Sequence, residues 1–256
     1  MIKLIARSDD AGSSRSANKA IESVVKAGII KNVSLMAPGP FIEEFAASCK
    51  DAPNVIFGMH ATLNAEWDRV KWKPLTRASD RLVDADGFFL PEPKLFLETK
   101  PSIDEIIAEY DAQYEKLTAL GFAIRYMDSH MMPELFIPGL FDAAGDFAKR
   151  RGIINHVYYY DLPDEDFMKN PKKYDGRQLF IVTHPSLNTR EMRAVGNSQF
   201  KGEDVAKSRA KETRMLTSPL TKWFLIRNGI KTITYEQAVP GSDRYVREKA
   251  QYEGAR

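Results

Sequence analysis

The chain has 256 residues, with 37 lysines and arginines against 35 aspartates and glutamates, a formal charge of +2, and both signs are spread along its length. That balance gives no footing for nucleic acid or an acidic membrane surface as a partner. A single cysteine, Cys49, excludes an internal disulfide framework and any CxxC zinc site.

The N-terminal segment Met1-Ile2-Lys3-Leu4-Ile5-Ala6-Arg7-Ser8-Asp9 becomes charged too early to hold a signal-peptide core. No later run reaches the roughly 18 apolar residues of a membrane helix, so the expectation is a cytoplasmic protein.

Short apolar runs recur along the chain: Ile2 to Ala6, Val33 to Met36, Val55 to Met59, Ile124 to Met127, Ile153 to Tyr159, Leu179 to Thr183 and Ile230 to Thr234. Continuous rather than alternating runs predict strands buried on both faces, as in a parallel sheet. Between them, helical spacing predicts helices over Ser16 to Ala27, Phe41 to Ser48, Ile103 to Leu120, Pro138 to Arg150 and Val205 to Asn228. Ser102 is placed to cap the third of these, Ser16 to cap the first, and Gly121 and Gly229 stand where C-terminal glycines belong. This β/α alternation predicts a single domain built on a parallel sheet or barrel.

The segment from Glu66 to Lys100 breaks the rhythm, with Trp67, Trp72, three prolines and a turn around Val83-Asp84-Ala85-Asp86-Gly87-Phe88-Phe89. It reads as a surface excursion with a small hairpin, of the kind that often covers a site. A second polar segment runs from Asp161 to Arg177.

Chemistry-bearing residues gather at predicted strand ends. The first strand ends at Ser8-Asp9-Asp10-Ala11-Gly12, and His60, His130 and His184 each follow a later strand, so three of four histidines fall there. His156 lies within a run and reads as structural. In parallel α/β folds the carboxyl ends of the strands form the ligand-binding face. Two carboxylates there can divide their labour, one holding a cation and the other taking a proton from water; alternatively, both simply cap the next helix. One carboxylate with two imidazoles can hold a divalent cation and leave positions open for water and substrate. Asp128, two residues before His130, can accept an imidazole N–H and steady a ligand from behind. There is no GxGxxG, Walker A, HExxH or GxSxG segment.

With these residues in place, the chain resembles the YdjC-like (ChbG/HpnK) carbohydrate deacetylases. The matching segments are Ser8-Asp9-Asp10-Ala11-Gly12, Gly58-Met59-His60-Ala61-Thr62-Leu63-Asn64, Leu82-Val83-Asp84-Ala85-Asp86-Gly87, Asp128-Ser129-His130 and Thr183-His184-Pro185. Arg209, Glu212, Leu216 and Thr217-Ser218-Pro219 before Gly229-Ile230 match the family's closing helix and strand.

The resemblance implies a distorted (β/α) barrel that removes an acetyl group from an N-acetylated sugar or oligosaccharide with one divalent metal, Mg²⁺ or Zn²⁺. Carried onto this chain, Asp10, His60 and His130 are the metal ligands. Asp9 is the general base acting on a metal-bound water, and His184 the group that protonates the departing amine. Where the family often continues with alternating histidines, Met131-Met132-Pro133-Glu134 follow His130, which makes Met132 part of a less polar wall; Ser186 stands where glycine usually follows His-Pro. Trp67 and Trp72 are candidates to stack on a sugar ring. The expected partner is a small carbohydrate, and self-association into a homo-oligomer stays open. Two other readings stand beside this one: a non-catalytic sugar-binding or regulatory homologue, and a metal-dependent hydrolase of another bond such as a phosphoester.

Overall fold

The computed structural model describes residues 1–77, 79–156 and 162–239. Seven strands are present among them: β1 (Ile2–Ala11), β2 (Asn32–Leu35), β3 (Ile56–Ala61), β4 (Ile124–Ser129), β5 (Ile154–Asn155), β6 (Gln178–Thr183) and β7 (Ile230–Ile233). Helices α1 (Arg15–Ala27) and α2 (Ile42–Cys49) follow β1 and β2, and α3 (Phe96–Thr99) and α4 (Ile103–Ala119) precede β4. Then come α5 (Leu140–Arg151), α6 (Arg190–Arg193), α7 (Gly202–Thr217) and α8 (Pro219–Arg227). Of the expected run Ile153 to Tyr159, positions 157–159 lie outside the described residues, as do Asp161 of the polar segment and 240–256.

Every strand pairing is parallel, in the order β5-β4-β3-β2-β1-β6 with β7 added on β1. The ten-residue β1 is the axis of this arrangement. One edge pairs with β6 from Lys3 to Ser8, while the other pairs first with β7 over Ile2 to Ile5 and then with β2 from Arg7 onward. The sheet curls into a half-barrel, a distorted (β/α) barrel. Ile5, Tyr126, Phe180, Ile233 and Tyr235, from β1, β4, β6, β7 and the segment just after β7, pack together inside the curl. Leu4, Ala6, Phe57, Met59, Met127 and Leu179 belong instead to the larger core shared with α1, α2, α4 and α5.

Side-chain alternation along these strands sets what faces the open end. On β1 the inward set continues from Ile5 to Arg7 and Asp9; on β4 it runs from Tyr126 to Asp128; on β6 it runs from Phe180 through Val182 to His184. Because the strands are parallel, all these inward polar residues emerge at one rim.

Three local expectations change in the structure. The N-cap of α1 is Ser14, whose hydroxyl accepts from the Ala17 N–H at 3.0 Å, whereas Ser16 lies inside the helix and bonds Thr189 and Glu191. The expected helix over Val205 to Asn228 is two helices, because proline disfavours helical backbone at the residue before it; Ser218 is extended (φ −73°, ψ 128°) and its hydroxyl caps α8. The excursion after β3 packs down rather than arching over solvent. Val83 bridges Phe89 to close the small hairpin, and Trp72, Leu82 and Phe89 are buried in the main core. Among the described residues no helix is long and apolar enough to cross a membrane.

Gly58 on β3 is the tightest point inside the curl. A Cβ there would lie 2.3–2.5 Å from the Tyr126 ring, whose hydroxyl sits 2.9 Å from that of Ser34. The side chain of residue 58 must therefore be absent for Tyr126 to cross the half-barrel beneath the rim. Gly58→Ala is expected to cost about 1–3 kcal/mol of stability by overpacking, read as a lowered urea midpoint; an unchanged midpoint would show that Tyr126 moves aside freely.

Candidate active site

Asp9 and Asp10 are neighbours on β1, and regular alternation would send them to opposite faces. The structure resolves this with an irregularity in the strand's pairing. The pairing of β1 with β2 shifts register between Ser8 and Ala11, and Asp10 adopts φ 65°, a left-handed conformation that aspartate tolerates better than most residues. Both carboxylates thereby reach the same rim. His60 at the end of β3 lies in register with Asp128 on β4, and His130 follows β4 with its N–H bonded to the Ala61 carbonyl at 3.0 Å.

Asp10, His60 and His130 converge. His60 Nε2 and His130 Nδ1 are 3.2 Å apart, and each lies 3.7 Å from Asp10 Oδ1. All three residues are buried. Asp10 Oδ1 has no hydrogen-bond partner among the described residues. A buried carboxylate oxygen without a partner is costly, and here it faces two imidazole nitrogens, a donor set suited to a divalent cation. A second cluster, Asp9 with His60 and Asp128, is also close enough to share an ion. Its donors are committed elsewhere, since Arg7 holds both Asp9 oxygens while Arg7, Ser34 and His60 occupy Asp128. The Asp10 cluster is therefore the better cation site.

Each candidate ligand is held from behind. Asp128 Oδ1 accepts from His60 Nδ1–H, leaving Nε2 to face Asp10. Glu66 takes the same part for His130 with the ring nitrogens exchanged: its carboxylate accepts from Nε2–H at 2.9 Å, leaving Nδ1 inward. Arg209 Nη1 holds Asp10 Oδ2 at 2.8 Å, so only Oδ1 points at the histidines.

Charge inside this cluster is strongly coupled. Burial alone would raise the Asp10 carboxyl, but Arg209 and the three nearby histidines outweigh it and hold it well below the usual range. Asp128 is likewise held low against burial by Arg7 and His60. Burial pulls the His60 imidazole down, yet Asp128, Asp9 and Asp10 prevail and push it up to about 9.

Asp9 forms a two-pronged pair with Arg7, at 2.6 Å from Nε to Oδ1 and 2.7 Å from Nη2 to Oδ2. It lines a cavity of about 570 Å³ together with Asp10, His60, His130 and His184. His184 is half-buried, and Glu212 fixes its backbone by accepting the N–H at 2.6 Å. Trp67 and Met132 also line this cavity. Met131 and Met132 are consecutive residues at φ 57° and 52°, so the chain turns sharply after His130.

Trp72 is placed differently from the expectation of a sugar-stacking surface. It is 4% exposed, its indole N–H donates to the Asn64 carbonyl at 2.6 Å, and its ring packs edge-on to His130. Its indole lacks a free face for a sugar; it supports a candidate ligand instead. Ser186, in place of the family's glycine, is not among the residues with positive φ, and its carbonyl accepts from Thr213.

No motif marks Arg7 or Glu66 as functional in the sequence, and Arg209 stands there only within the tail that matches the family. Arg7 was findable, because residues i and i+2 of a strand share a face. Glu66 leaves no such trace, since an irregular loop brings it back to His130.

Comparison with known proteins agrees with this architecture. The chain is 27% identical over 258 residues to carbohydrate deacetylase 2 of Listeria innocua serovar 6a, covering 91% of this chain and 98% of that protein. It is 30% identical over 151 residues to a chitooligosaccharide deacetylase of Citrobacter koseri, covering 59% and 57% respectively. A solved structure from Enterococcus faecalis V583, provisionally described as a cellobiose-phosphate cleavage protein, shares the fold with a TM-score of 0.75 at 21% identity, over 93% of this chain and 99% of that one. The model of the YdjC-like protein family matches residues 3–227, and the chain belongs to that family.

Proposed function

We propose that the chain is a divalent-cation-dependent hydrolase that removes the acetyl group from an N-acetylated sugar. The observation that carries this reading is the convergence of the unpartnered Asp10 Oδ1 with His60 Nε2 and His130 Nδ1, beside an Arg7-held Asp9. The full-length similarity to a carbohydrate deacetylase supports the substrate class. Asp10, His60 and His130 would hold the cation, which when bound supplies Lewis acidity toward the acyl oxygen.

The remaining chemistry belongs to side chains of the chain itself. Asp9 takes a proton from the attacking water, and its two-pronged pair with Arg7 fixes where that carboxylate points. The water oxygen adds to the acetyl carbon and the carbonyl electron pair moves to its oxygen; when that pair returns, the C–N bond breaks. His184, at the cavity wall, gives a proton to the departing amine nitrogen, so the products are acetate and a free amino sugar. The gathering of Asp9, His184 and the three candidate ligands around one cavity supports turnover over sugar binding alone.

Three outcomes are expected. Asp9→Asn should lower acetate release at least about a thousandfold while metal content stays close to wild type; release above a tenth of the wild-type rate would place the base elsewhere. Glu66→Gln keeps the shape but offers His130 a neutral partner, so metal affinity measured by calorimetry should fall about 10–100-fold, and an unchanged affinity would detach Glu66 from the site. His60 must lose a proton to serve as a ligand. With its pKa at about 9 in the metal-free protein, affinity should rise about tenfold per pH unit up to that value, with a matching proton release. Affinity that is flat between pH 6.5 and 8.5 would show that His60 is already neutral before the cation binds.

A further inference from the structure

Helix α4 carries Glu105, Glu109 and Gln113 at four-residue intervals, a stripe along one face. Glu109 and Gln113 are fully buried. Gln113 holds the chain just beyond His60. Its Oε1 accepts the Thr62 N–H at 3.0 Å, its amide nitrogen donates to the Thr62 carbonyl at 2.8 Å, and the same nitrogen donates to Glu109 Oε1 at 2.9 Å. Glu109 holds the chain farther along the irregular segment. Its carboxylate accepts from the Leu75 N–H at 3.0 Å, the Thr76 N–H at 2.9 Å and the Thr76 hydroxyl at 2.6 Å. Glu105 adds the Ser79 N–H at 2.7 Å.

Thr62 and the Leu75-Thr76 pair are thereby fastened one helical turn apart, and the chain between them is a closed loop of the Ω kind. That loop carries Glu66, whose carboxylate accepts from His130 Nε2–H, and Trp72, whose ring packs edge-on to His130. Fixing the ends of a loop in advance removes freedom that its middle would otherwise lose on binding. The Asn197 side chain donates to the Glu66 carbonyl at 3.0 Å and steadies the middle as well. The clamp is made of an expensive material. Among the described residues no lysine, arginine or histidine pairs with Glu109, so a carboxylate is held out of water by neutral donors alone. An apolar side chain would pack α4 against the core at less cost. Only a carboxylate has acceptor positions for all four donors, those of Leu75, Thr76 twice and Gln113.

We propose that Glu109 and Gln113 are positioning residues for the cation site: by clamping both ends of this loop to α4 they hold Glu66 against His130 Nε2–H and so keep Nδ1 turned toward Asp10. The proposal rests on the cation-site reading, and the experiment separates the two. Zn²⁺ affinity is measured by calorimetry for wild type, Glu109→Gln, Glu66→Gln and the double variant. Ile106→Val, in the core on the same helix, controls for lost stability, and thermal unfolding checks folding. Glu109→Gln turns amide hydrogens toward groups that themselves donate, and should weaken Zn²⁺ binding about tenfold, while Ile106→Val leaves it at the wild-type value. Added to Glu66→Gln, the change at position 109 should have little further effect, because both act through one contact. Thr76→Val, which removes one donor from the loop side, takes the place of Glu109→Gln if that variant does not fold, with a smaller loss expected. An affinity unchanged by loosening the clamp, or a loss that adds in full to that of Glu66→Gln, overturns the proposal. If wild type binds no Zn²⁺, the cation-site reading fails, and nitrogen NMR of the imidazoles in the metal-free protein decides the clamp. A His130 proton held on Nε2 in wild type and Ile106→Val but redistributed in Glu109→Gln upholds it; the same ring state in all three overturns it.

Discussion

The site depends first on one buried cation, Arg7. Its Nε and Nη2 grip Asp9, its Nη1 reaches Asp128 Oδ2 at 2.7 Å, and its guanidinium lies 4.8 Å from the centre of the Phe180 ring. A guanidinium taken out of water is expensive unless its charge is matched, and two buried carboxylates would repel each other without it. The three groups are therefore tolerable only together. Asp128 can then hold His60 Nδ1–H, which turns Nε2 toward Asp10. Asp9, the proposed base, and His60, a proposed ligand, thus owe their orientation to the same side chain on β1.

The histidines show how little the fold relies on symmetry. His60 turns Nε2 inward because a strand neighbour, Asp128, takes its Nδ1–H; His130 turns Nδ1 inward because a loop residue, Glu66, takes its Nε2–H. Asp10 is divided in the same way, with Oδ2 on Arg209 and Oδ1 directed at the rings. Strained backbone gathers around these ligands: Asp10, Met131 and Met132 all have positive φ. Such conformations cost on the order of 1 kcal/mol or more each, and they persist here because strand pairing, the register break and the buried ion pairs over-determine them.

The long strand β1 explains why these parts meet at all. By pairing with β6 on one edge and with β7 and then β2 on the other, it brings the ends of β1, β3, β4 and β6 onto one rim of a half-barrel. The irregular segment after β3 then supplies Trp67 to the cavity, Glu66 to His130 and the buried Trp72 behind that ring.

Much of this was legible in the sequence because it is local. Continuous apolar runs marked the strands, glycines at 121 and 229 marked helix ends, and the placement of acids and histidines just after those runs marked the rim. The motifs around Asp9-Asp10, His60, His130 and His184 pointed to the family. Apart from the family pattern, the sequence leaves the division of labour between Asp9 and Asp10 open, since alternation alone puts them on opposite faces. Only the tertiary structure decided that a left-handed turn at Asp10 reunites them, that Ser14 rather than Ser16 caps α1, and that Trp72 packs behind His130 instead of lining the cavity. It also decided which residues stand behind the ligands. Asp128 and His60 are 68 positions apart, Glu66 and His130 are 64, and Arg209 and Asp10 are nearly 200. Periodicity reports which way a side chain points from its own element, whereas a hydrogen bond between such distant residues exists only after the strands have paired and the loops have closed.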